Sequence, residues 1–536
     1  MTDVTDVIVV GAGFAGLYAV HRAASAGMSV VGVEAAPDVG GTWYWNRYPG
    51  ARCDVESVDY SYSFDEELQQ SWTWTERFAA QPEILAYLRH VADRFDLRRH
   101  YRFGVDVVGA DFDDGRWHVR TASGDVFGAR FLVCATGCLS AVNRPDIRGA
   151  DEFAGEVYFT AAWPREDPDL RGKRVGLIGT GSSGIQALPI VAAQAAEVVV
   201  FQRSANYSIP MPNRPWTPDE QRQIREQYPE RRRASAYASA GTPHGTYHKK
   251  AVDTAPEERA DALWRRWREG GVLFAKTFPD QNSDVAANDI AREFAEERIR
   301  EIVTDPAVAA DLIPVDHPIG AKRICTDAGY YAAFNRDNVR LVNLRREPID
   351  AITARGVRTD RMTYPCDVLI FATGFDAMTG ALTRIDPRGP GGERLRDIWA
   401  EGPVTFLGLM VPGLPNLFTI SGPGSPSVLA NMVLHAEVQV DWVTELILTA
   451  HELGVCEIEP RRDAAEAWTE HVAVAADQTL FTKAASSWYL GANIDGKKRV
   501  FMPFAGGFGT YRRHCEGVAH DGYAGLVLTA RYGPGT

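Results

Sequence analysis

Two glycine-rich turns, each set between a β-branched run and a helical pattern, constrain the fold of this 536-residue chain more than any other feature. The first, Gly11-Ala12-Gly13-Phe14-Ala15-Gly16, follows Val7-Ile8-Val9-Val10; the second, Gly179-Thr180-Gly181-Ser182-Ser183-Gly184, follows Val175-Gly176-Leu177-Ile178. In a strand-turn-helix context such a turn holds a dinucleotide. The first glycine allows the tight turn, the second lets the backbone approach the pyrophosphate, the third lets helix pack on strand, and the helix N-terminus attracts the phosphate charge. The pattern predicts two doubly wound α/β units. A chain that binds two dinucleotides passes electrons between them.

The residue at the end of the next strand indicates which nucleotide each unit takes. After the first turn, Ser29-Val30-Val31-Gly32-Val33 ends in Glu34, 18 residues beyond Gly16 (34 − 16), near the spacing of about 20 for a ribose-binding carboxylate. That suits an unphosphorylated adenosine ribose, as in FAD or NAD. After the second, Val198-Val199-Val200-Phe201 runs into Gln202-Arg203-Ser204 without a carboxylate. An arginine where the acid would stand suits a 2′-phosphate through bidentate charge-assisted bonds, so the second unit is read as an NADPH site.

Composition removes several alternatives. A net charge of −13 gives no electrostatic footprint for nucleic acid, and Arg231-Arg232-Arg233 reads as a solvated helix face. The first strand begins within a few residues of the start and no apolar run reaches a membrane span, which predicts a cytoplasmic protein with no membrane partner. Seven scattered cysteines without a Cys-x-x-Cys pair argue against disulfides, zinc or dithiol redox chemistry. His244 and His248 lie in a Gly/Pro-containing stretch without a carboxylate partner, and no metal is expected. Ser182 and Ser183 belong to the glycine loop and read as phosphate contacts; no nucleophile elbow is present.

Between Pro210 and Arg323 the chain turns Arg/Glu-rich, with Ala291, Ala295, Ile299 and Ile302 at helical spacing. Two apolar runs, Phe131–Cys134 and Val368–Phe371, both lead into Ala-Thr-Gly, at Ala135-Thr136-Gly137 and Ala372-Thr373-Gly374. By similarity to two-dinucleotide flavoproteins these place inter-domain crossings near 137–150 and 374–390, with a linker or surface turn at Asp386–Gly392. The last portion shows strand and loop signals such as Leu417–Gly424, and must complete the first unit if its sheet is to be covered on both faces. The expected division is an FAD-binding domain over 1–141 and 377–536, an NADPH-binding domain over 142–208 and 327–376, and a helical insertion over 209–326.

The stretch Gly41-Thr42-Trp43, with Tyr48-Pro49-Gly50 and Asp54, resembles a signature of type I Baeyer–Villiger monooxygenases. Phe153, Gly155, Trp163 and Pro164 meet a second signature of that family, whose histidine is replaced here by Phe159. Agreement continues through Gly320–Arg323, Phe334–Val339, Ala372–Ala377, Gly422–Ser427 and Ser487–Asn493, closest to the phenylacetone and steroid monooxygenase branch.

The resemblance implies that NADPH reduces FAD, that dioxygen is captured as an anionic flavin peroxide, and that a ketone becomes an ester or lactone. Arg323 matches the catalytic arginine, a permanent cation for the peroxide, and Asp54 the carboxylate that orients it. By the same correspondence Thr42, Trp43, Tyr60, Val107 and Met432 line FAD with Gly11, Gly13, Gly16 and Glu34. Gln186, Ser204, Lys322 and Trp488 join Arg203 and the second loop on NADPH. Ser427, Val428, Leu429 and Met432 face the substrate, whose apolar surroundings imply an aryl, alicyclic or terpenoid ketone. Oxygenation of nitrogen or sulfur is the alternative reaction. A non-catalytic redox-sensing role is the alternative class.

Overall fold

The structure, a computed structural model, describes residues 5–530. Its two main sheets follow one strand plan. In the first, β1 (Thr5–Val10) lies between parallel neighbours β2 (Val30–Glu34) and β6 (Val126–Cys134), with β3 (Tyr101–Phe103) outside β2. The antiparallel hairpin of β4 (Val107–Asp113) and β5 (Arg116–Thr121) extends the sheet from β6, and β17 (Leu417–Thr419) also pairs with β6. In the second, β8 (Arg174–Ile178) is central, β9 (Glu197–Gln202) and β12 (Val339–Asn343) lie to one side, and β16 (Val368–Phe371) and β7 (Glu156–Phe159) to the other, all parallel. A small antiparallel sheet of β13 (Ile349–Thr353), β14 (Gly356–Thr359) and β15 (Thr363–Pro365), and a pair of β18 (Val455–Pro460) with β19 (Leu526–Ala530), lie outside the two main sheets.

Both central strands are apolar on successive residues because both of their faces are covered. Val7 and Val9 face a core shared with α1 (Phe14–Ser25) and α7 (Met432–Glu452), while Ile8 and Val10 face Leu382, Leu395, Trp399 and Leu414. The first unit therefore draws its second face from the C-terminal part of the chain and is discontinuous. Tyr18 on α1 donates to Asp441 on α7 at 2.8 Å, fastening the two segments.

The C-terminal part departs from the expected strand and loop character. It is dominated by α7, α8 (Arg462–Asp477) and α9 (Phe508–His520). Helix α7 is buried along most of its length, so it carries apolar residues on nearly every side and lacks the clean stripe by which a surface helix is recognised.

The insertion is closed at its base by parallel pairing of β10 (Ser208–Pro210) with β11 (Cys325–Asp327). It contains α3 (Pro218–Ser235), α4 (Pro256–Glu269), α5 (Val285–Ile302) and α6 (Pro306–Leu312); α2 (Ser182–Gln194) follows the second glycine turn. Ala291, Ala295 and Ile299 bury the expected face of α5, and Trp267, Phe274 and Phe294 form a separate core between α4 and α5. Helix α3 instead lies on the first unit. Arg231 pairs with buried Asp59 at 2.7 Å and Arg232 donates to Ser61 Oγ at 2.8 Å, so only Arg233 of the arginine run keeps the solvated character expected of all three. A run of like charge is read as solvated only until a buried carboxylate from a distant segment is placed beside it.

The two crossings run against each other, with Asn143 N donating to Gly374 O at 3.0 Å and Asp376 N to Ala141 O at 2.8 Å. The Asp386–Gly392 turn is tied down, because Arg388 exchanges backbone bonds with Ala110 and Phe112 beside β4.

Candidate active site

The two glycine loops superimpose in their physical logic. Gly11 (φ 111°) and Gly179 (φ 110°) take a backbone conformation closed to other residues, and a Cβ on either would stand 2.5 or 2.4 Å from the carbonyl of Ala135 or Ala372. Each Ala-Thr-Gly segment thus lies directly against a glycine turn. The helices that follow, α1 and α2, begin at Gly13 and Gly181 without a side-chain cap. Their first N–H groups are left for an anion, and the residues present fit a dinucleotide pyrophosphate in both units.

The ends of the next strands differ. Glu34 is buried and accepts from Ala12 N and Ala36 N, both at 2.7 Å; burial raises its pKa and these two bonds oppose the rise. Strand register corrects one detail in the second unit. Val33 pairs with Val10 and Phe201 with Ile178, so Gln202 stands where Glu34 stands, and Arg203 lies one residue further on. Gln202 is buried with its amide donated to Asp311 O at 2.7 Å, while Arg203 is exposed. Ser204 O accepts from Thr180 Oγ1 at 2.8 Å, and Lys322 Nζ reaches Ser486 Oγ at 2.9 Å. Ser182 Oγ lies 3.3 Å from Cys325 Sγ, and Ser183 Oγ 2.9 Å from Thr160 Oγ1.

The segment from Gly41 to Asp54 joins the units. A Cβ on Gly41 would stand 2.7 Å from Gly13 Cα, and one on Gly50 2.5 Å from the Gln186 carbonyl of α2, so the segment touches one glycine loop and then the other unit's helix. Gln186 accepts from Tyr48 Oη at 2.8 Å and donates to Arg52 O, which fixes the two units together. Trp43 is buried with Nε1 on Tyr60 Oη at 3.2 Å. Thr42 is exposed at the start of its short helix, and Val107 is buried at the start of β4.

Asp54 ends this segment and meets Arg323 in a two-pronged ion pair, Nε–Oδ2 2.7 Å and Nη2–Oδ1 2.8 Å. The third arm of the guanidinium donates to Val428 O. Burial works against the charge, but Asp54 outweighs it and raises the guanidinium further above its ordinary value. The arginine stays about a quarter exposed, toward a cavity of about 460 Å³ that Asp54, Phe78, Val428 and Leu429 also line. Two neighbours escaped sequence reasoning. Tyr489, beside Trp488, is buried near Arg323, and burial with that cation in opposition leaves its phenol at about 12. Lys276 is pushed down to about 8 by burial, with the Arg323 charge adding to it.

Val428 and Leu429 line the cavity. Ser427 is fully buried with φ 43° and its hydroxyl on Ser421 O at 3.2 Å, and Met432, at the start of α7, packs against the same apolar cluster as Val428 and Trp488. His244 corrects the expectation of no carboxylate neighbour: Nε2 lies 3.7 Å from Asp59 and the ring groups with Glu56. Both carboxylates are already paired, Glu56 with Arg77 at 2.7 Å and Asp59 with Arg231, so the cluster reads as an ion-pair network. Phe159 stacks on Phe371 at 5.0 Å, under the Arg144 guanidinium.

A family model described as pyridine nucleotide-disulphide oxidoreductase matches residues 8–254. A Baeyer–Villiger monooxygenase of Pseudooceanicola batsensis is 42% identical over 97% of this chain and 96% of its own. A phenazine N-monooxygenase of Lysobacter antibioticus is 40% identical over 98% and 97% respectively. An oxidized steroid monooxygenase structure bound to NADP shares 54% identity with a TM-score of 0.94, covering 98% of this chain and all of that one.

Proposed function

The chain belongs to the type I Baeyer–Villiger monooxygenases, and from that premise we propose that it inserts one oxygen atom from dioxygen beside the carbonyl of a hydrophobic ketone, giving an ester or lactone. It is an FAD-containing, NADPH-dependent monooxygenase. When bound, NADPH supplies hydride and FAD supplies the activation of oxygen. The first glycine loop, Glu34, Thr42, Trp43, Tyr60, Val107 and Met432 would hold FAD. The second loop with Gln186, Arg203, Ser204, Lys322 and Trp488 would hold NADPH.

The observation that carries this reading is the Asp54–Arg323 pair on the wall of a cavity that Phe78, Leu273, Val428 and Leu429 line in part and Glu56, Asp59, Arg77, Arg266 and Glu269 in part. Arg323 presents a charge that no pH of interest removes, so it stabilises negative oxygen developing on the substrate carbonyl. Asp54 fixes the fork, and removing it strands a half-buried cation at a cost of about 3–5 kcal/mol. Val428 and Leu429 keep water from the reacting centre. This arrangement favours ketone oxygenation over attack on nitrogen or sulfur, which calls for an electrophilic, protonated oxidant.

Among the described residues no helix is long and apolar enough to cross a membrane. We infer a cytoplasmic protein acting on a small molecule, supported by cysteines that are all unpaired. The domain division of 1–141 and 377–536, 142–208 and 327–376, and 209–326 remains our proposal; the two sheets and the β10–β11 clasp support it.

A panel of aryl, alicyclic and terpenoid ketones, with a sulfide and an aromatic amine as competitors, tests the reading by mass spectrometry. Ketones should gain one oxygen, and Arg323→Ala should lose about a hundredfold or more of that product while NADPH still bleaches the flavin. Exclusive oxygenation of the competitors would replace the ketone reading by the heteroatom one.

A further inference from the structure

The outer strand of the second sheet, β12, ends beside β9, and its next residues are Leu344 and Arg345. Leu344 N donates to Gln202 O at 2.8 Å, which continues the pairing past the strand and brings Arg345 to the turn at Arg203-Ser204. Arg345 Nε donates to Arg203 O at 3.1 Å, and Nη2 lies 3.4 Å from Ser204 Oγ. The same nitrogen pairs with Asp316, whose other oxygen lies 2.6 Å from His317 Nδ1. The guanidinium is therefore aimed by three partners although its side chain is 43% exposed. Lys322 lies close enough that, after burial, the Arg203 and Arg345 charges are among the causes pulling its ammonium below the ordinary value. Three cations thus gather at the Arg203-Ser204 turn, Arg345 in contact with Ser204 and Lys322 within reach of the charges of Arg203 and Arg345, with Asp316 as the carboxylate among them. The surplus of about two positive charges matches a phosphate monoester, which carries about −1.5 to −2 near neutral pH.

The first unit supplies the control within the molecule. Its outer strand β3 lies beside β2 as β12 lies beside β9, but the residues after it are Gly104 and Val105, which donate backbone bonds to Ala36 O and Glu34 O at 2.9 Å. No cation stands at that place. The position after the outer strand is basic only in the unit that lacks the ribose carboxylate.

We infer that Arg345, held by Asp316 and by the Arg203 carbonyl, is a further specificity-determining residue that recognises the 2′-phosphate of the nicotinamide dinucleotide. With Nε on the Arg203 carbonyl and Nη2 on Asp316 and Ser204, the fork keeps the N–H donors of Nη1 for a phosphate oxygen. Asp316 is a positioning residue that keeps the fork turned toward the turn. The inference rests on the second unit being the NADPH site.

Steady-state kinetics with NADPH and with NADH on the holoenzyme, for wild type, Arg345→Gln and Arg345→Lys, tests it, with flavin content and melting temperature measured in parallel. Arg345→Gln should lower kcat/KM for NADPH by about ten- to a hundredfold through KM, leave kcat/KM for NADH within about twofold, and weaken competition by 2′-phospho-ADP-ribose but not by ADP-ribose. Arg345→Lys should recover part of the NADPH loss, because charge is kept and the fork is not. Equal losses for both coenzymes would mean that Arg345 only shapes the loop, and an unchanged NADPH to NADH ratio would also overturn the inference. A wild-type protein indifferent to the 2′-phosphate would instead bring down the NADPH reading on which it rests.

Discussion

The two nucleotide units share a backbone solution and differ in how they finish it. In the first, the carboxylate at the end of β2 is buried and locked by two backbone N–H groups. In the second, the residue at the same register, Gln202, is turned into the protein, and recognition passes to exposed cations one residue on and at the neighbouring strand end. A buried, prearranged acceptor suits a cofactor that stays, since nothing need be rearranged or rehydrated between turnovers. Cations open to solvent suit one that must arrive, deliver hydride and leave. On this reading the glycine geometry makes room for a dinucleotide in each unit, and the strand ends distinguish the two sites.

The most severe way to break this difference is to exchange the two register positions. Glu34→Gln replaces an acceptor by an amide whose NH₂ faces a backbone N–H, and should reduce FAD retention by about tenfold or more, read as the flavin-to-protein absorbance ratio. Gln202→Glu should not convert the second unit to NADH use. Its carboxylate would face the Asp311 carbonyl, so a lower melting temperature with the NADPH to NADH preference preserved is expected. A clean switch to NADH would show that Gln202, not the cation cluster, sets coenzyme choice.

Much of this was legible in the sequence. The two strand-turn-helix signals predict both sheets, and the Ala-Thr-Gly repeats mark the segments that lie on the glycine turns. The spacing from Gly41 to Asp54 is explained by contacts with Gly13 and Gln186, close approaches that only glycine permits. What stayed hidden depends on register or on distant segments. The one-residue offset between Arg203 and Gln202 needs the β8–β9 pairing, and Arg345 becomes relevant only once β12 is placed beside β9. Helix α7 stays hidden because burial on nearly every side removes the periodic contrast on which a sequence reading relies, whereas α8 and α9 each bury one stripe, Ala465-Trp468-Val472-Ala476 and Phe508-Tyr511-Cys515, that the sequence does carry. The clamp of Arg231 on Asp59 joins segments more than 170 residues apart.

A milder perturbation sharpens the same contrast through pH. Besides Glu34, the first unit carries Glu437 on α7, which accepts from Ser63 N and Oγ, both at 2.6 Å; burial pushes it up to about 7 against those bonds. The folded state holds the proton more tightly than the unfolded chain, so this contribution to stability is complete below the ordinary glutamate value and lost as pH rises toward 7. The slope is about 1.4 kcal/mol per pH unit at most. Wild type should therefore lose melting temperature relative to Glu437→Gln between about pH 5 and 7, by roughly a few degrees, with a flat difference above. A difference that widens in the opposite direction would mean Glu437 is ionised in the fold.

The smallest effect is expected where the chain departs from the family pattern. Phe159 ends β7, its ring against Phe371 on one side and the Arg144 guanidinium, 4.6 Å from the ring centroid, on the other. Arg144 belongs to the first crossing and Phe371 to the strand that leads into the second, so the ring joins both crossings by stacking where a histidine would use hydrogen bonds. Phe159→His keeps a planar ring but places a weaker π face under the cation, and any protonation of the imidazole would set like charges together. The loss is about 0.5–1 kcal/mol, a shift of roughly one or two degrees in melting temperature. Hydrogen peroxide released per NADPH consumed should not change, because the ring contacts the crossings and not the Arg323 cavity. A severalfold change in that ratio with stability unmoved would make this residue a determinant of coupling between the two units.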